Sequence, residues 1–131
     1  MNNTVFTPAE AERSLPLVKV IVRDILEVGV RLKGLHVDDA YQYEEIVELR
    51  IQLQRLLEEI ESLGCFFKDW SFEVGNVDFP SEINGKAVHL CWKSDEDHVL
   101  YYHKISDPSE KRKPIPTYLL AHLPAATTES I

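Results

Sequence analysis

A chain of 131 residues is long enough for one domain, and at this length folding hides roughly 68% of the extended-chain surface, enough for one real core. Hydrophobic residues at 44% and charged residues at 27% sit near the globular average, which excludes wholesale disorder, a collagen-like repeat and a disulfide miniprotein. Lys plus Arg total 14 against 22 Asp plus Glu, a formal net charge of −8, and that field repels phosphate backbones and anionic lipid, so no nucleic-acid or membrane partner is expected. Two cysteines, Cys65 and Cys91, and an opening with no apolar core before Arg13 predict a reducing, cytoplasmic setting without export. The charge-free run 114–128 contains Pro114, Pro116, Pro124 and His122 and cannot cross a bilayer as a helix.

Thr7-Pro8-Ala9-Glu10 reads as a helix start, with Thr7 as N-cap, Pro8 in the first helical position and Glu10 completing a capping box, while Phe6 sits where a hydrophobic staple would. Pro16 follows two turns later and is expected to break or kink that helix, giving a short helix and then a long one. From Val18 the apolar positions Val18, Ile21, Ile25, Val28, Leu32 and Leu35 step by 3 and 4 in the manner of a coiled-coil seam, and Ile46, Leu49, Leu53, Leu56, Ile60 and Leu63 repeat the pattern. Folding the two helices back places the seams in six layers whose residue numbers each add to 81, a long antiparallel helical hairpin. Asp39 is its expected second N-cap, with Gln42 three residues on, and Gly64 is the stop. Leu15, Val22, Leu26 and Gly29 form a further stripe that needs cover.

Beyond Gly64 the period changes. Residues 65–74 are rich in aromatics and read as extended, Asn84-Gly85 is a turn signal, and Lys86–Lys93 and His98–Ile105 read as a β-hairpin. If Lys93 faces His98, paired numbers add to 191, so Trp92 with Val99, Leu90 with Tyr101 and Val88 with His103 share the face that covers the spare helix stripe. The whole is α+β: one domain over 1–131, with a short N-terminal helix and the helical hairpin in 7–64, a β-rich segment in 65–116 packed against it, and a small-residue tail over 117–131 that is extended and then frays.

The segment Gly75-Asn76-Val77-Asp78-Phe79-Pro80, followed by Gly85, Leu90-Cys91-Trp92, Glu96, Tyr102-His103 and Arg112-Lys113-Pro114, together with Phe6-Thr7-Pro8-Ala9-Glu10-Ala11 and Leu15-Pro16, resembles an uncharacterised bacterial family, domain of unknown function 2203. The resemblance covers about residues 5 to 115. It brings no activity with it, and it draws attention to the residues just quoted.

Asp78, before Phe79-Pro80, is a candidate general base or metal ligand, or else a turn-former whose oxygens accept backbone N–H groups. His103 is a candidate acid/base or ligand, or a half-buried structural histidine. His89 and Cys91 point the same way from one strand and suit zinc by chemistry, but a structural zinc site wants four ligands, the chain offers two cysteines and no CxxC, and on the 191 register His103 projects through the other face, so neither a metal nor a cofactor is expected; Cys91 then reads as a small strand hydrophobe. Lys104, Lys111, Arg112 and Lys113 form the basic cluster, and with Trp92, Tyr101 and Tyr102 nearby they could frame an anionic or nucleotide-like ligand. The acidic helix residues Glu44, Glu45, Glu48, Glu58, Glu59 and Glu61 read as a solubilising face.

Two functions follow. The first is a protein-interaction or oligomerisation module without its own catalysis, a homodimer through the helices, motivated by the wide apolar stripe and the lack of a catalytic signature. The second is a small-ligand binder or enzyme with Asp78, Trp92, Tyr102, His103 and Arg112 as site residues, four of them (Asp78, Trp92, His103 and Arg112) lining one cleft; the sequence leaves open whether it is an enzyme.

Overall fold

The computed structural model describes residues 5–124 as two helices and a five-stranded antiparallel sheet, an α+β fold. Helix α1 spans Pro8–Lys33 and α2 spans Tyr43–Ser62. The capping box is formed: Thr7 Oγ1 accepts from the Glu10 N–H at 3.1 Å and Glu10 Oε1 accepts from the Thr7 N–H at 2.9 Å. Phe6 is buried, with its ring edge-on to Phe79, and its backbone bridges to Ser81 in the sheet.

Pro16 breaks nothing, contrary to the expected short helix; α1 runs through it for 26 residues. Pro16 faces solvent, while Ala11, Leu15 and Val18 beside it are fully buried. At about 1.5–3 kcal/mol for each large apolar side chain, that burial offsets the roughly 3 kcal/mol an interior proline costs. The start of α2 also differs from expectation. Asp39 Oδ1 accepts from the Tyr41 N–H and Gln42 Oε1 from the His36 N–H, so both side chains close local turns and the helix begins at Tyr43 with no side-chain cap. Gly64 stops α2 as expected, with a left-handed φ of 99°. The two helices contact each other, and Arg31 pairs with Glu45 between them.

Strand β1 (Phe66–Phe67) is much shorter than the extended run 65–74 expected. The chain leaves it because Asp69 gathers the N–H groups of Ser71 and Val74 and the Ser71 hydroxyl into a tight turn. Phe72, at φ 61°, then lays its ring over Gly29, where an added Cβ would fall 2.1 Å from that ring. The helical glycine is therefore a docking notch for an aromatic ring. Strands β2 (Asn76–Ile83) and β3 (Lys86–Lys93) form the hairpin at Asn84-Gly85, both with positive φ (52° and 78°), the geometry whose twist matches paired strands. Asp78 and Pro80 thus stand in a strand. Strands β4 (Tyr101–Lys104) and β5 (Lys113–Pro114) complete the order β1-β2-β3-β4-β5.

The β3–β4 register departs from the expected one by a single residue: Cys91 faces Tyr101, Leu90 faces Tyr102, His89 faces His103 and Val88 faces Lys104, so paired numbers add to 192. The connection explains the slip. Residues 94–100 stay out of the ladder because Glu96 takes the Lys93 N–H on its carboxylate and the Trp92 indole N–H on its carbonyl. Glu12, far away on α1, takes the Val99 N–H and contacts His98.

One buried cluster joins Leu15, Val18, Val22, Ile25 and Ile60 to Val77, Phe79, Leu90, Trp92 and Val99. Leu15, Val22 and Gly29 of the further α1 stripe are buried and Leu26 packs against this core, so the chain's own β-half supplies the cover that motivated a dimer. Ile115, Leu120 and Leu123 also enter the core, and a 3-10 turn spans Thr117–Leu119, so Leu120 and Leu123 anchor the segment 117–124 where an extended, fraying tail was expected; residues 125–131 lie outside the described part. Among the described residues no helix is long and apolar enough to cross a membrane.

Candidate functional site

Alternation along β2, β3 and β4 sends Val77, Phe79, Leu90, Trp92 and Tyr102 toward the helices and Asn76, Asp78, His89, Cys91, Tyr101 and His103 to the opposite face. Asp78 sits directly across from Cys91, and His89 directly across from His103. The one-residue shift is what brings His103 onto this face, since a slip of one turns every side chain of a strand over. The expectation that His103 stands apart from His89 and Cys91 is corrected here, and with it the argument that kept these donors from meeting.

Asp78 and His103 are buried, at 3% and 4% exposure. His103 Nε2 lies 3.1 Å from both Asp78 oxygens, and His89 Nδ1 lies 3.3 Å from Oδ2. The other nitrogen of His103, Nδ1, is 2.7 Å from the Lys104 carbonyl oxygen. A carbonyl only accepts, so Nδ1 carries a hydrogen and the ring is fixed with Nε2 aimed at the carboxylate. Burial raises the Asp78 pKa, but the hydrogen bonds and charge of His89 and His103 outweigh it and hold the carboxyl below its usual range. Cys91, which donates its S–H to Asn76 Oδ1 at 3.4 Å, is pushed up to about 11 by burial and then by the Asp78 charge, against a smaller pull from Arg112.

The chain after β4 folds over this centre. Residues 105 and 107–110, with Lys68, Asn76, Asp78, His89 and His103, line a cavity of about 250 Å³, and Asn76 ties the cover down by donating from Nδ2 to Ser109 Oγ at 3.0 Å. Concavities of about 430 and 600 Å³ lie elsewhere; no charged group lining either is buried.

The remaining candidates separate from this centre. Trp92 is buried in the helix-side core with its indole N–H on the Glu96 carbonyl, and Tyr102, on that same face, borders the 600 Å³ concavity with Lys104. A single cleft joining Asp78, Trp92, His103 and Arg112 is therefore not formed. Arg112 does reach the outer face, where its guanidinium lies 4.0 Å above the Tyr101 ring and near Cys91. Two N–H groups already grip the Glu96 carboxylate, one at 2.9 Å and one at 2.5 Å. That pairing raises the Arg112 pKa and leaves the guanidinium occupied as a strut between the 94–100 connection and β5. Lys111 and Lys113 are exposed, so the basic run does not converge into an anion pocket.

Sequence reasoning missed His89, Asn76 and the covering segment as parts of one site. The spacing of His89 and Cys91 was a usable signal; it failed through the small number of ligands the chain offers and through the register of β4. Comparison of the chain with curated proteins and with solved structures finds no match. The ordered residues from Phe6 to Pro114 do carry a family signature that matches over residues 4–115, and the chain belongs to the family described as "Uncharacterized conserved protein (DUF2203)".

Proposed function

We propose that this protein binds a small polar ligand at the outer face of its sheet, with Asp78, His89 and His103 as the recognising groups. The observation that carries the reading is a buried carboxylate held by two imidazoles at the wall of a cavity. A pair kept for structure alone needs no adjoining space. The cavity size limits the occupant: about 250 Å³ lies under the 300–1,000 Å³ typical of drug-sized ligands, so a nucleotide does not fit and a species of a few heavy atoms does. Its lining carboxylates, Asp78, Asp107 and Glu110, against Lys68, favour a cation or hydrogen-bond donor over an anion.

Thermal-shift measurements against small amines, small carboxylates and divalent ions test the reading. A ligand that raises the melting temperature of the wild type, and loses that effect in a His103→Gln variant of near-normal stability, supports it. A His103→Gln variant that melts lower while every wild-type response persists assigns the pair to structure and ends the proposal.

A second reading rests on α2. Tyr43, Val47 and Ile51 are exposed one turn apart, an apolar ladder suited to association through the helices. In this reading α1 and α2 form the antiparallel hairpin with layers adding to 81, the ladder lies on its outside, and the module works in the cytoplasm as a homodimer or with another protein. Sedimentation that returns 15.1 kDa at all micromolar concentrations removes the homodimer.

A further inference from the structure

Three donor atoms of different chemistry meet on the outer face of the sheet: an Asp78 carboxylate oxygen, Cys91 Sγ and His103 Nε2 all lie within 4.8 Å of one another, and all three residues are buried. Each comes from a different strand, β2, β3 and β4, at neighbouring rungs of the ladder, so the backbone fixes their separation. We propose that these three side chains hold one divalent transition-metal ion, zinc by donor type. The inference rests on the ligand-site reading above and names the ligand class.

The orientation of His103 is the first argument. Its Nδ1–H is committed to the Lys104 carbonyl, which leaves the Nε2 lone pair of a neutral ring 3.1 Å from two carboxylate oxygens. Lone pairs facing each other at that distance repel unless a cation sits on Nε2, and the cation is a proton or a metal ion. An imidazole that gives its far N–H to a backbone carbonyl and turns its near nitrogen inward has the arrangement of a metal-ligating histidine.

Spacing is the second. Zinc–oxygen and zinc–nitrogen bonds of about 2.0–2.1 Å set about 3.3 Å between neighbouring tetrahedral ligands, close to the 3.1 Å from Nε2 to the carboxylate. Carboxylate, thiolate and imidazole are all zinc donors, and three protein ligands leave a fourth position open. The cavity of about 250 Å³ adjoins Asp78 and His103, which gives that position room for water or a small molecule. His89, 3.3 Å from Asp78 Oδ2, stands beside the carboxylate as an outer partner.

Charge balance is the third. One divalent ion with one carboxylate and one thiolate is neutral, so the buried charge that makes an isolated ion costly is cancelled. The Cys91 proton leaves to solvent when the metal–sulfur bond forms, as metal binding at a thiol requires. Cys65, the other cysteine, is buried with its S–H directed to the Ile60 carbonyl and belongs to the apolar core, which makes it an internal control.

Cobalt(II) titrated into the chelator-stripped, full-length protein reads the site directly, because sulfur ligation adds an intense thiolate-to-cobalt band in the near ultraviolet. The expected result is one cobalt per chain with that band, displaced by zinc, retained in Cys65→Ser and lost in Cys91→Ser, with zinc affinity falling by more than the roughly 10–100-fold typical of losing an outer partner. No stoichiometric binding, binding without the thiolate band, or a band that persists in Cys91→Ser overturns the proposal. Should Cys91→Ser fail to fold, X-ray absorption on the zinc-loaded wild type decides: one sulfur among nitrogen and oxygen neighbours upholds the site, and a shell without sulfur ends it. A cobalt failure alongside a small organic ligand that depends on His103 removes only the metal; failure of both removes the ligand-site reading too.

Discussion

The two faces of the sheet are closed by opposite means. Toward the helices, Val77, Phe79, Leu90, Trp92 and Val99 meet Leu15, Val18, Val22 and Ile25 with no more than 1% exposure, and the contact is non-directional, so what matters is volume. Toward the outer side, Asp78, His89, Cys91 and His103 are tied by directed hydrogen bonds beneath a covering segment held through Asn76 and Ser109. The first face tolerates like-sized substitutions and punishes lost volume; the second tolerates little change of donor and acceptor. Each side chain's face depends only on strand parity, so one sheet carries both regimes at adjacent residues.

The sharpest break of this contrast is Trp92→Ala. Emptying the helix-side core should cost about 3–5 kcal/mol, measured by urea unfolding, and a loss below about 1 kcal/mol would show that this face lacks the crystal-like packing density of protein interiors. Asp78→Asn comes next. It keeps the shape but removes the charge facing His103, with an expected loss of about 1–3 kcal/mol; no change in unfolding free energy would place the pair outside the stability of the fold. Gly29→Ala adds a single methyl group into the Phe72 ring and should destabilise by about 1–3 kcal/mol, with rescue by a smaller residue at position 72 confirming the clash. Thr7→Ala removes the cap that starts α1 and should cost about 0.5–2 kcal/mol.

The smallest effect is one of pH. Burial raises the Asp69 pKa, but hydrogen bonds from Ser71, Val74 and Glu73 outweigh it and leave a net lowering. Its folded value lies below its unfolded one, so its stabilisation is complete above the ordinary carboxylate range and fades as the pH falls through the folded value. The stability gap between wild type and Asp69→Asn should therefore shrink on acidification, and a gap that widens contradicts the turn's dependence on the charged carboxylate. Asp69 is half-buried and screened by solvent, and the gap is small for that reason.

What could be read from the chain was local. Thr7 with Glu10, Gly64 and Asn84-Gly85 each fix their backbone through contacts within a few residues, and all three are found in place. The α1 pattern from Val18 likewise needs only its own period. Pro16 misleads because a propensity measured locally is overruled by burial on the far side of the helix, and Asp78-Phe79-Pro80 reads as a loop because proline seldom stands in a strand. The β4 register was illegible for a different reason. It turns on the connection that Glu96 holds from within and on Glu12, 86 residues before His98, and no hairpin rule contains a residue so distant. One parity error then divides His103 from His89 and Cys91 and hides the site, although Asp78 and His103 each stand out in the sequence.

That same Glu12 contact predicts an order of events during folding. The β2–β3 hairpin closes through a two-residue turn and can zip as soon as those residues are made, whereas β4 finds its rung only after α1 has docked and supplied Glu12 to the Val99 N–H. Until then the alternative rung, one residue away, is open, and it carries Tyr102 outward in place of His103. Pulsed hydrogen exchange should accordingly show protection of Tyr101–Lys104 lagging that of Asn76–Lys93, and Glu12→Gln should lengthen the lag. On this order the outer centre is the last part of the molecule to acquire its identity, with a residue that never touches it as its proofreader.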